Sequence, residues 1–98
     1  MKIYLKKFGT TLVSRQAGRE ALAAFQPTMK KLSGKETVKV YFEVVTTLSP
    51  SWGDEFLRPL DEKHKKRLIL LRSKNPSVIL TLKILEQANK MKFNLENK

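Results

Sequence analysis

Ile3 and Leu5 alternate with lysines across Lys2–Lys7, the period-two pattern of a half-buried strand. Gly9 marks a turn and Thr10–Val13 is β-prone, so a hairpin is expected at the start of the chain. Ser14 can cap a following helix, because its hydroxyl accepts from the free amides of a first turn. Ala17, Ala21, Ala24, Phe25, Met29 and Leu32 recur mostly at spacings of three and four, which predicts an amphipathic helix from Arg15 to Leu32. Pro27 should kink or split it, and Ser33-Gly34 should end it.

Val38, Val40 and Phe42 alternate with Lys39, Tyr41 and Glu43, predicting a core strand. Leu48-Ser49-Pro50-Ser51 is a turn that opens a helix whose buried stripe is Trp52, Phe56 and Leu60. Pro59 counts against the second half of that helix. Arg67–Arg72 encloses the apolar run Leu68–Leu71, as expected of a strand covered on both faces. Asn75-Pro76 reads as a cap with proline at the first helical position. Val78, Leu82, Leu85 and Ala88 then carry a last helix to about Met91. The expected order is β-β-α-β-α-β-α: an α/β class chain, with a central sheet and helices packed on it. Residues 1–93 form the one expected domain, and 94–98 a frayed polar tail.

The 98 residues suffice for one core, and with 41% apolar residues folding needs no metal or disulfide. Absence of cysteine excludes a disulfide framework, a cysteine nucleophile and a cysteine zinc site. No apolar run of about 7–15 residues opens the chain, so no secretory signal is expected and the cytoplasm is the default location. The longest apolar runs are too short to span a bilayer. The lone histidine, His64, is expected at the surface and has no second histidine for a metal pair. Gly9, Gly18, Gly34 and Gly53 are scattered and form no phosphate loop. These residues carry no enzyme signature and imply no cofactor.

Lysine and arginine outnumber aspartate and glutamate 20 to 9, a formal charge of +11 that favours polyanions. The densest cluster, Lys63, Lys65, Lys66 and Arg67, reads either as a solvated helix end or as an anion-binding patch. A nucleic-acid-associated protein is the alternative reading, through charge only: Tyr4, Tyr41 and the phenylalanines lie mostly in apolar segments, leaving few exposed aromatics.

Ser49 and Ser51 both lie at a helix N-terminus in either cap register: Ser49 with Pro50 next, or Ser51 with Asp54 three residues on. The bland reading is two caps; the functional one is a phosphorylation switch at either serine. Trp52, spaced four from Phe56, reads first as core and second as a contact anchor.

The entry Phe8–Arg15, the segment Val38–Ser51 and the run Ser49-Pro50-Ser51-Trp52-Gly53-Asp54-Glu55-Phe56-Leu57 resemble the STAS-like family of small bacterial proteins, over nearly the whole chain. More distantly the chain is similar to anti-sigma factor antagonists. That resemblance implies a STAS-like fold and a non-enzymatic, regulatory protein-binding module. The implied partner is an ATP-binding anti-sigma or histidine-kinase-like protein. By position Ser51 matches the serine phosphorylated in the antagonists, and Ser49, Trp52, Asp54 and Glu55 would contact the partner. Tyr41 stands where the family pattern usually has aspartate, and Val44 where it has glycine. The antagonists' Asp-Ser-Ser-Gly loop is replaced here by Ser49-Pro50-Ser51-Trp52.

Overall fold

A computed structural model describes residues 1–98. Strands β1 (Lys2–Tyr4), β3 (Val38–Tyr41), β5 (Leu68–Leu71) and β6 (Asn94–Glu96) form one parallel sheet in the order β1-β3-β5-β6. A second parallel pair joins β2 (Thr11–Leu12) to β4 (Thr47–Leu48). Helices α1 (Arg15–Met29), α2 (Pro50–His64) and α3 (Pro76–Asn89) make the crossovers. Sequential order in a parallel sheet, with right-handed crossovers, puts all the helices on one face. The core therefore lies between that face and the helices. Ile3, Val38, Val40, Leu68 and Leu70 point into it and meet Phe25, Phe56, Leu57 and Leu85. The fold is α/β, as the alternation of patterns predicts.

Several expectations need correction. No hairpin opens the chain: β1 stops at Tyr4, a 3-10 turn spans Leu5–Phe8, and β2 pairs with the distant β4. Leu5 is nevertheless fully buried within that turn, as the alternation with Ile3 predicts. Asn94–Glu96 is no frayed tail but the fourth strand, paired in register with Ile69–Leu71. Its backbone amides and carbonyls find a ladder on β5, so polar side chains do not prevent pairing. The run Leu68–Leu71 is buried except at Ile69, which is half-exposed on the face opposite the helices. Pro27 and Pro59 break neither helix: Pro27 lies in the last turn of α1, and α2 continues through Pro59 to His64. Ala88 faces solvent instead of completing the buried stripe of α3.

The caps follow the expected chemistry. Ser14 Oγ accepts from Ala17 N at 2.9 Å, Ser49 Oγ from Trp52 N at 3.2 Å, and Asn75 Oδ1 from Ser77 N at 2.8 Å. All three helix N-termini thus gather at the carboxyl ends of the strands.

The helices touch through glycine. A Cβ on Gly18 of α1 would sit 2.7 Å from the Trp52 carbonyl oxygen of α2, inside van der Waals contact. Phe8 and Phe56 pack on the same tryptophan, whose ring lies 4.8 Å from that of Phe56, and Phe25 packs in turn on both phenylalanines. Gly18→Ala should therefore destabilise the fold by about 1–3 kcal/mol, although alanine improves helix propensity by about 1 kcal/mol. Urea unfolding checks this: a midpoint unchanged or raised would mean that α1 and α2 are free to move apart.

Candidate functional site

In open parallel sheets, binding sites collect outside the carboxyl ends of the strands. Here that end is built from the loop around Val13, the β3–β4 loop, the start of α2, and Arg72–Asn75. The loops are tied to one another. Thr46 N and Thr46 Oγ1 both donate to Thr10 O, and Asn75 Nδ2 donates to Val45 O and Thr46 O. Ser77 Oγ and Thr81 Oγ1 donate to Leu48 O.

The two serines have different duties. Ser49 is the cap: its hydroxyl donates to Val13 O at 2.7 Å while accepting from Trp52 N. Ser51 sits in the first turn, half-exposed, with its hydroxyl in no hydrogen bond within the chain. Pro50 has no amide hydrogen, and the amides of Trp52 and Gly53 are used by Ser49. The Ser51 amide is the donor left over in that turn.

The other three residues of the expected contact surface point elsewhere. Trp52 is 1% exposed and belongs to the core. Asp54 accepts from Arg15 at 2.9 Å and from Arg58 at 2.8 Å. Glu55 accepts from Arg19 at 3.3 Å, with Arg15 at 3.7 Å. These pairs zip α1 to α2, and the bonds from Arg15 and Arg58 hold the Asp54 carboxyl below its ordinary pKa. Asp54 and Glu55 are thus seam residues and not free rim charges. Helical periodicity alone could not reveal this, because their arginine partners come mainly from another element.

Sequence reading missed the exposed apolar pair on the same end. Val13 is 45% and Val44 59% exposed. Val44 also has φ 72°, the left-handed region that a β-branched residue avoids and glycine occupies without strain.

At the opposite end, Lys63 and Arg67 line a shallow cleft of about 340 Å³ with Lys30 and His64, whereas Lys65 and Lys66 project into solvent. Half of the expected cationic cluster thus converges. His64 is not at the surface as expected: it lies four residues beyond Leu60 on the buried stripe and is 8% exposed. Its Nε2 and the Arg67 Nε are buried without partners. Burial, then Lys63 and Arg67, push its pKa below the ordinary 6.5.

No group of three or more histidine, aspartate and glutamate side chains is placed to hold a metal ion. No helix is long and apolar enough to cross a membrane. Comparison with protein families, with curated proteins and with solved structures gives no match.

Two outcomes test this description. Val44→Gly should stabilise the fold by about 1 kcal/mol, since left-handed strain of roughly 1–2 kcal/mol is relieved and little packing is lost; a lower urea midpoint would contradict it. Because the folded pKa of His64 is depressed, its neutral form is favoured in the fold. Stability should be full above pH 6.5 and fall as the unfolded chain takes up a proton below it. The drop between pH 7.5 and 5.5 should shrink in His64→Gln, measured by thermal melts across that range, where the depressed Asp54 carboxyl does not titrate.

Proposed function

We propose that the chain is a non-enzymatic regulatory module of STAS-like type, acting in the cytoplasm and binding a protein partner at the carboxyl end of its sheet. The observation that carries this reading is the division between the serines: Ser49 is consumed as the cap, while Ser51 keeps a free hydroxyl beside it. Val13 and Val44 offer apolar contact on adjoining loops. Such contacts need no convergence of acid and base groups. The likeness of the Ser49–Leu57 run to anti-sigma factor antagonists adds the partner class, an ATP-binding, kinase-like protein.

In this reading the partner transfers the γ-phosphoryl group of ATP to Ser51 Oγ. The hydroxyl proton passes to a base of the partner, and ADP leaves. The phosphate brings about −1.5 to −2 charges. It is accommodated locally, because the helix N-terminus and the unused Ser51 amide favour an anion. The docked surface, in contrast, gains a charge that an apolar contact at Val13 cannot solvate, so the complex opens. Trp52, Asp54 and Glu55 hold α2 in place and act only through that positioning.

Affinity capture from a nuclease-treated cytoplasmic extract tests the switch. Wild type and Ser51→Ala should retain the same protein, and Ser51→Asp should lose at least about tenfold of it, a change equivalent to about 1.4 kcal/mol. Equal retention by all three baits would remove Ser51 from the contact.

A further inference from the structure

The face of the four-stranded sheet opposite the helices carries no helix, and Tyr4, Lys39, Tyr41 and Ile69 on it are half-exposed while Leu71 is buried. Strand register sets two rows across it: Lys2, Lys39, Ile69 and Asn94 in one, and Tyr4 beside Tyr41, then Leu71 beside Glu96, in the other. The tyrosines stack on each other with centroids 4.6 Å apart and planes 17° from parallel. They were expected inside apolar segments, yet both are half-exposed. Lys6 Nζ stands 5.6 Å over the Tyr4 ring, and Lys2 Nζ 5.9 Å over Tyr41.

We infer that this sheet face binds single-stranded nucleic acid, independently of any partner at the carboxyl end. The stacked pair offers half-exposed aromatic surface on which an unpaired base can stack, a contact that every base can make. A lysine over an exposed ring is weakly held. It can swing to a neighbouring phosphate when a base takes its place. The charge on this face matches such a ligand: Lys2, Lys6 and Lys39 surround the rings, and the acid among them, Glu96, pairs with Lys39 at 3.5 Å. The strand has a continuation. Immediately beyond Tyr41, Leu71 and Glu96, at the ends of β3, β5 and β6, lies a cleft of about 560 Å³ where Arg72, Lys74 and Lys98 outnumber Glu43. A second copy of the chain fits this face poorly, because a two-fold axis would set its lysines against themselves. Duplex fits poorly too, since its bases are already stacked and offer no free ring.

Fluorescence anisotropy with a labelled 12-nucleotide oligo(dT) and the full chain provides the test. Tyr4→Leu/Tyr41→Leu keeps the apolar cover and the net charge but removes the ring faces. It should weaken binding about tenfold or more, as expected for lost base stacking, while Tyr4→Phe/Tyr41→Phe stays within about twofold of wild type. Lys2→Gln/Lys6→Gln should lower the salt slope by about 1.4, roughly 0.7 for each phosphate contact with a single strand. The charge-matched Lys83→Gln/Lys90→Gln should not. The Trp52 emission spectrum reports whether each variant keeps its core, and the lysine pair carries the test if the leucine variant does not fold. Three results would overturn the inference: leucine and wild-type proteins binding alike, duplex of equal length binding as tightly, or sedimentation showing a dimer that the leucine variant dissolves.

Discussion

Everything at the carboxyl end of this protein depends on how closely α2 can be gripped by its neighbours. Gly18 admits the Trp52 carbonyl on one side, and Gly53 brings Leu85 to within 2.9 Å of where a Cβ would stand on the other. A side chain at Gly18 would meet the backbone of α2 and hold the two helices apart, whereas at Gly53 the Leu85 methyl would have to turn aside. With the glycines in place, Trp52 enters the ring cluster of Phe8, Phe25 and Phe56 and fixes the height of α2 over the sheet. Ser49 then reaches Val13 O, and Ser51 comes to rest at the rim.

Electrostatics follow from the same contact. Asp54 and Glu55 of α2 pair with Arg15 and Arg19 across the seam with α1, and Asp54 and Glu62 pair with Arg58 within α2 itself. Those acids screen arginines locally, so the remaining surface is left to the lysines. The +11 charge is thus unevenly distributed. Lys2 and Lys6 stand over the tyrosines, and Lys63 and Arg67 lie at the end of α2, where cations also complement the helix dipole. A basic chain of this kind meets polyanions everywhere. Selectivity has to come from groups such as Tyr4 and Tyr41, whose contribution is indifferent to salt.

The proposed protein contact and the proposed nucleic-acid face occupy different parts of one scaffold. The first uses loops that strand ends present and helix N-termini stabilise. The second uses the sheet surface that sequential crossovers leave without a helix. A one-sided parallel sheet is uncommon, since such sheets are generally covered on both faces. The polar and aromatic residues on its outer rows are what make exposure tolerable here.

Local signals in the sequence determined a good deal. The caps at Ser14 and Asn75, the stripe Trp52–Phe56–Leu60, the strands at Val38 and Leu68, and the α/β class all depend on spacing and on nearest-neighbour hydrogen bonds, which a linear pattern records. The choice of Ser49 over Ser51 as the cap of α2 was left to the structure. The tertiary structure decided what those patterns pair with. Polar Asn94–Glu96 became a strand because β5 offered an open edge, and Thr11–Leu12 left its expected hairpin for a partner 36 residues away. Asp54 and Glu55 lost their freedom to arginines of another helix, and His64 was drawn inside as the last position of a buried stripe. Tyr4 and Tyr41, separated by a whole helix in the chain, became one aromatic platform through strand register. Each of these outcomes turns on contacts between residues far apart in sequence, and no periodicity within a single segment encodes them.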